Sequence, residues 1–221
     1  MNRRLPPGKV PWDIVADLLS GELPPEVKLG PAAGEDAALV EIGGELWAVA
    51  SDPVSFTAAD AGRLAVIVNA NDVAVRGARP VFFLAVGLIA PHEATEDRVT
   101  DLLTQVRDTC HEVGCHLVGG HTEVTPGLPH SIVVGTMFGP VLSRPITTGG
   151  LRDGDLVGIS KWAGLEGTAI LFAERGDRVR AIHGRRAIRP LRDIYPRPWL
   201  PVVPEALAAA EVAGVSALHD V

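Results

Sequence analysis

VNANDVAVRGARP, residues 68–80, is the stretch on which the reading of this chain turns. An apolar helical run surrounds it, with Leu64, Val66, Ile67 and Val68 upstream and Val73, Ala74 and Val75 downstream, yet it carries Asn69, Asn71 and Asp72. Burying such groups without partners costs roughly 2 to 7 kcal/mol each, depending on the reference state. Either neighbouring backbone satisfies them, as it does for Asn and Asp at turns and helix ends, or a ligand orders them. On a helix, Asn69 and Asp72 are three residues apart and share a face.

Two segments upstream place a carboxylate beside an apolar strand. In GEDAALVEI, residues 34–42, Asp36 precedes the strand; in WAVASDPVSF, residues 47–56, Asp52 follows one and Pro53 stops it. Gly43 and Gly44 between them read as a hairpin turn, which makes Asp36 and Asp52 neighbours in space. Two carboxylates close together repel unless a cation or donor lies between them. Read alone, Asp52 before Pro53 also fits a strand ending in a turn, and Asp36 an ordinary turn acid. Downstream, HLVGGHTEVTPG, residues 116–127, ends a short strand in a Gly119-Gly120 pair that allows close backbone approach to a ligand. His121, Thr122 and Glu123 follow; in extended chain His121 and Glu123 point the same way, while a tight turn at His121 and Thr122 is the plain alternative.

Taken in order, GEDAAL, ASDPVSF, NANDVAVRGARP, VGGHTEV and RDGDLVGIS resemble the motif series of the aminoimidazole ribonucleotide (AIR) synthase superfamily. That superfamily includes thiamine monophosphate kinase, selenophosphate synthetase, formylglycinamide ribonucleotide amidotransferase and the hydrogenase-maturation carbamoyl dehydratase. The resemblance runs from Gly34 to the end of the chain, and its wording is nearest to the hydrogenase-maturation type and AIR synthase-related proteins. It implies an α+β fold: an N-terminal domain with a mixed sheet and helices on one face, dimerising into a barrel, followed by the start of an α+β C-terminal domain. The expected division is residues 1–140 for ATP, metal and dimerisation, 141–152 for a linker and 153–221 for part of the second domain.

The resemblance also implies ATP and Mg2+ as cofactors. Asp36, Asp52 and Asp72 stand at the family's metal-binding acids, and Asn69 where a polar group orients metal-bound water or phosphate. Gly119, Gly120, His121 and Thr122 match the glycine turn and the ligand that follows it. Several members have Asp or Glu where this chain has His121, so Glu123 is the alternative metal ligand. Mg2+ prefers oxygen ligands shared between carboxylates, phosphate and water, and paired cations neutralise charge as a phosphoryl group is attacked. The implied activity is phosphorylation of a carbonyl, amide or carboxylate oxygen on a small-molecule or protein-thiocarboxamide-type substrate, with a small-molecule kinase as the second option. A non-catalytic nucleotide- or partner-binding protein, or a fragment of a longer one, is the third. ALHDV, residues 217–221, matches the start of a His-Asp motif that in relatives runs on into Thr and glycines. His219 and Asp220 are then the stub of that site or a polar tail, and on the first option the chain as given is expected to turn over little.

Composition is compatible with this. The 221 residues are 47% hydrophobic with a formal net charge of -7, which points to a folded globule and away from a general nucleic-acid binder. The arginines between Arg175 and Arg197 read as a solvated face. No apolar run reaches the roughly 18 residues that span a bilayer, so the expected location is cytoplasmic, with no membrane partner. Cys110 and Cys115, with four residues between them in neither a redox nor a zinc pattern, are expected to be reduced, partly buried thiols. The Walker A loop and the GxGxxG fingerprint are both absent, leaving metals, backbone amides and arginine to hold a nucleotide. Patterning predicts strands near 37–42, 46–51, 81–89, 115–118, 131–138 and 155–160, and helices near 11–20, 62–76, 96–113, 166–175 and 204–213. In VFFLAVGLI, residues 81–89, helices on one side of the sheet leave Phe82 or Phe83 exposed on the other, a patch that seeks a homodimer partner.

Overall fold

At Gly43 (φ 62) and Gly44 (φ 84) the chain takes left-handed backbone that only glycine adopts cheaply. Strands β2 (Ala38–Ile42) and β3 (Glu45–Ala50) close on each other across that turn, Ile42 opposite Glu45 and Ala38 opposite Val49. The computed structural model, which describes residues 4–55, 60–187 and 200–221, builds one mixed sheet outward from this hairpin. Its other strands are β1 (Val27–Leu29), β4 (Pro53–Val54), β5 (Phe82–Ile89), β6 (His116–Val124) and β7 (Ile132–Pro140), in the order β1-β2-β3-β7-β5-β6 with β4 also on β7. All pairs are antiparallel except β5 with β6. The sheet of the single chain is open, with β1 and β6 as its edges, so no barrel closes within one chain.

Helices α2 (Ala61–Ala74) and α3 (Glu96–Val113) cover one face. Alternation along β5 and β7 points Phe83, Ala85, Val133 and Met137 into that layer. In α2 every residue except Arg63 and Val68 is buried, because β3, β7, α3 and α5 (Val203–Ala210) all pack on it. A helix enclosed on all sides shows no amphipathic stripe. By contrast α3 is two-faced: Thr95 caps it by accepting from the Arg98 amide at 3.2 Å, and Gly114 (φ 80) closes it in the left-handed conformation. Helix α1 (Trp12–Leu19) has no buried residue, and α4 (Leu165–Ala187) bends where Arg175 leaves helical geometry.

Four expected strands appear within two residues of their positions, and α3 at its expected limits. Three differences have physical causes. The strand expected at 115–118 runs on to Val124, since Gly119 and Gly120 sit inside it. A Cβ at Gly120 (φ 148) would lie 1.8 Å from the Ala85 carbonyl oxygen, so the glycine pair relieves a register slip against β5 instead of ending the strand. The strand expected at 155–160 is absent: Leu156, Val157 and Ile159 are exposed, and alternation cannot make a strand without a neighbour to pair with. The helix expected to end at Arg175 does lose helical geometry there, but a second helical stretch follows directly after the kink. Of the arginine-rich run, residues 188–199 lie outside the described residues. Cys110 and Cys115 are free thiols and fully buried.

Where β7 passes beneath α2, close approach needs glycine. A Cβ at Gly135 would stand 2.4 Å from Asn69 Nδ2 and 2.7 Å from the Phe83 ring. We expect Gly135→Ala to destabilise the fold by about 1 to 3 kcal/mol, the usual range for overpacking, measured by urea unfolding. Gly167→Ala, where a Cβ meets nothing within 4 Å on a helix, should leave stability unchanged or slightly raised.

Candidate functional site

Asn69 is completely buried, and its amide is used up by backbone. It accepts from the Asp52 amide at 2.9 Å and donates to the Asp52 carbonyl at 3.2 Å and the Ala65 carbonyl at 2.8 Å. Asn71 does the same on the other side of the helix, donating to the Leu200 carbonyl at 3.2 Å and accepting from the Val202 amide at 2.9 Å. Each asparagine therefore grips one passing segment at two points. The expected role of Asn69 toward water or phosphate is not what its amide does here; it fixes the backbone of Asp52.

Asp72, 3% exposed, has no such partner: its Oδ2 is buried and makes no hydrogen bond. Burial, followed by the charges of Asp220, Asp52 and Asp36, pushes its pKa up to about 9. Burial likewise raises the Asp52 carboxyl, with Asp36 adding and Lys9 opposing. The hairpin has thus carried Asp36 and Asp52 together, and α2 brings Asp72 to meet them.

The C-terminal residues complete the cluster. His219 Nδ1 lies 3.2 Å from Asp36 Oδ2, and one ligand atom each from Asp36, His219 and Asp220 fall within 4.8 Å of one another. Burial and the nearby Asp36 raise the Asp220 carboxyl, and Glu166, at the start of α4, is raised by burial and by Asp220 and Asp52. On the open side Lys9 Nζ stands 3.3 Å from Asp36 Oδ1, a cation set against the carboxylates. Lys9 and Glu166 were not singled out by sequence; a single Lys after Gly8 and a single Glu in a helical segment carry no pattern that marks them.

Gly119, Gly120, His121, Thr122 and Glu123 lie elsewhere. His121 Nε2 and Glu123 Oε2 are 3.1 Å apart, on the same side of the strand as expected, and Thr125 donates to Glu123 at 2.8 Å. They stand on the exposed edge strand β6. The Asp52 carbonyl accepts from Gly135, which pairs with Ala85, which pairs with Gly120; three strand spacings of about 4.8 Å each separate Asp52 from Gly120. Within one chain the structure gathers Asp36, Asp52 and Asp72 but does not bring Gly119–Glu123 to them.

The donors that converge are carboxylate oxygens and one imidazole, with a buried oxygen left unpaired. Of these, Asp36, His219 and Asp220 have ligand atoms close enough to share one divalent cation, whose charge would offset the repulsion among the neighbouring carboxylates.

Comparison with known proteins agrees with this fold. The family model of the AIR synthase related protein, N-terminal domain, matches residues 34–141. A Methanocaldococcus jannaschii protein named for hydrogenase expression and formation is 28% identical over 180 residues, covering 76% of this chain and 53% of its own length; the chain thus spans about half of that relative. Among solved structures, AaThiL complexed with AMPPCP and TMP superposes with a TM-score of 0.68 at 20% identity, over 92% of this chain and 62% of that one. The hydrogenase maturation protein HypE in complex with ATP gives 0.54 at 27% identity, over 64% and 44%.

Asp72 supplies a pH test of the cluster. Burial and the neighbouring carboxylates push its pKa from the ordinary aspartate value of 3.8 up to about 9 in the folded protein. The folded state therefore binds more protons than the unfolded chain between those limits, and stability falls as pH rises through them. We expect urea unfolding in EDTA to show that fall for the wild type and a flatter profile for Asp72→Asn. A divalent cation at saturating concentration should flatten the wild-type profile as well.

Proposed function

We propose that this chain, whose residues 34–141 match the AIR synthase related protein N-terminal domain, binds ATP with Mg2+ and uses it to activate a substrate carbonyl, amide or carboxylate oxygen by phosphorylation. The observation that carries this reading is the unpaired Asp72 Oδ2, buried among the carboxylates of Asp36, Asp52 and Asp220. A buried carboxylate oxygen without a partner calls for an explanation, and a bound ion among neighbouring carboxylates supplies one.

Asp36, Asp52 and Asp72 would hold the cation, with Asp220 and His219 at its rim. When bound, the cation supplies charge neutralisation for the phosphates. The chain's own residues contribute order: Asn69 fixes the Asp52 backbone at two points, and enclosure of α2 fixes Asp72. Lys9 lies beside Asp36 with an exposed side chain, placed to meet a phosphate oxygen once the carboxylates are neutralised. A polyanionic triphosphate is repelled by four clustered acids unless cations stand between them. The likeness to HypE bound to ATP and to AaThiL with AMPPCP supports nucleotide as the ligand. Similarity to the hydrogenase expression/formation protein favours activation of an amide-type oxygen over a simple small-molecule kinase.

The same reading includes a homodimer. The sheet face away from α2 and α3 carries Phe82, 40% exposed and stacked on Trp47 with ring centroids 6.2 Å apart, beside the half-buried Val134 and Phe138. An apolar face of this kind, rimmed by the unpaired edge β6, favours a partner. No helix among the described residues is long and apolar enough to cross a membrane.

Calorimetry tests the nucleotide reading. ATP should bind in the presence of Mg2+ and fail to bind in EDTA, and Asp72→Asn should weaken Mg-ATP binding by about tenfold or more while the protein stays folded. Equal ATP affinity in EDTA would show that the acids do not act through a cation. For assembly, light scattering at micromolar concentration should give a dimer for the wild type and a monomer for Phe82→Asp; a monomeric wild type refutes the dimer.

A further inference from the structure

Arg76 is the largest fully buried side chain among the described residues, 0% exposed, and it is paired with the buried Glu35. The two sit where four segments meet. Arg76 also donates to the Ile146 carbonyl at 3.3 Å and to Thr148 Oγ1 at 3.1 Å. Glu35 accepts from the amides of Thr148 at 3.1 Å and Gly149 at 2.9 Å. Thr148 Oγ1 in turn reaches the Leu218 carbonyl at 3.4 Å, and the Ile146 amide donates back to the Arg76 carbonyl at 3.2 Å. A Cβ at Gly150 would meet the Ser216 carbonyl at 2.1 Å, so glycine there lets the C-terminal strand of chain lie against the 148–150 turn.

Each segment tied at this junction carries a carboxylate of the acid cluster a short step away. Asp36 follows Glu35; Asp72 is one helical turn before Arg76; Asp220 is two residues after Leu218. We infer that the Glu35–Arg76 pair is a positioning device for the metal-nucleotide site: it sets the 146–150 turn and the 216–220 segment so that Asp220 and His219 face Asp36 and Asp72. The inference rests on the metal-nucleotide reading for its purpose, though not for its geometry. A buried ion pair is in itself weak support for stability, since apolar or neutral replacement of both partners is often tolerated. A pair kept only for packing would therefore be dispensable once both charges are removed together. A pair that aims ligands would not, because residues that orient a metal's ligands control its affinity without touching it.

The test uses the full chain and two probes. Mn2+ alone is titrated and read by loss of the free-ion electron paramagnetic resonance signal, and amide hydrogen exchange is followed at 146–150 and 216–221. Glu35→Gln combined with Arg76→Met removes both charges and should fold with a melting temperature near the wild type. It should bind Mn2+ about tenfold or more weakly and exchange faster at those two segments, with α3 unchanged. Arg76→Lys keeps the charge without the fork that spans Glu35, Ile146 and Thr148, and should lose part of the affinity at full stability, which tests the idea even where the double variant unfolds. Wild-type Mn2+ affinity in either folded variant overturns the inference. A wild type that takes up no Mn2+ overturns the metal reading instead, and unchanged exchange at 146–150 and 216–221 would then overturn the positioning role by itself.

Discussion

The enclosure of α2 is the constraint on which the rest of the structure depends. A helix packed against sheet, helix and second segment at once has no solvent side on which to discard polar groups, so every polar side chain in it must be matched or must be waiting for something. Asn69 and Asn71 are matched by neutral amide geometry, one donor and one acceptor set against one carbonyl and one amide of a passing chain. That arrangement suits asparagine and no apolar residue of the same size. It also places the loop after β3 and the segment before α5 on opposite flanks of the same helix, and so fixes what lies beside Asp72.

Asp72 is different in kind. A carboxyl group could be matched by two backbone amides, as Glu35 is by Thr148 and Gly149; instead its Oδ2 faces other carboxylates. In the metal-free protein the conflict is resolved by protonation, which removes the charge but leaves the oxygen unpaired. Lys9 moderates it from outside at the cost of an exposed side chain held near Asp36. On the proposed reading, a cation among these carboxylates would do better than either, because attraction to several oxygens acts at once in a low-dielectric surround. Free energy left unrealised in this way is available to binding.

How far the sequence showed this depends on which residues carry local signals. The hairpin was legible because Gly43-Gly44 lies between two apolar runs, and from it the meeting of Asp36 and Asp52 followed. Helix α3 was legible from its cap and stop. The pairing of asparagines with distant backbone was not, since Leu200 and Val202 lie far along the chain and nothing local marks them. Gly119 and Gly120 misled, because a glycine pair after apolar residues reads as a strand end, whereas parallel pairing to β5 carries the strand through. His219 and Asp220 were visible as a motif, but only the fold shows that they lie against Asp36. Nothing local marks Arg76 as buried, because its partner Glu35 is remote in sequence.

The contrast between Glu35 and its neighbour Asp36 shows how one loop serves two ends. Glu35 is turned inward, satisfied on both oxygens by two amides and a guanidinium, and cannot act as a ligand without releasing them. Asp36 is turned outward to Lys9 and His219, partners that are exposed and readily exchanged. Anchoring the oxygens of Glu35 firmly fixes the backbone from which Asp36 projects. A site that must hold its acids close together against their repulsion needs such fixed points outside the repelling group. In this fold the asparagines of α2 and the buried Glu35–Arg76 pair supply them from two directions, leaving the carboxylates themselves free to meet a ligand.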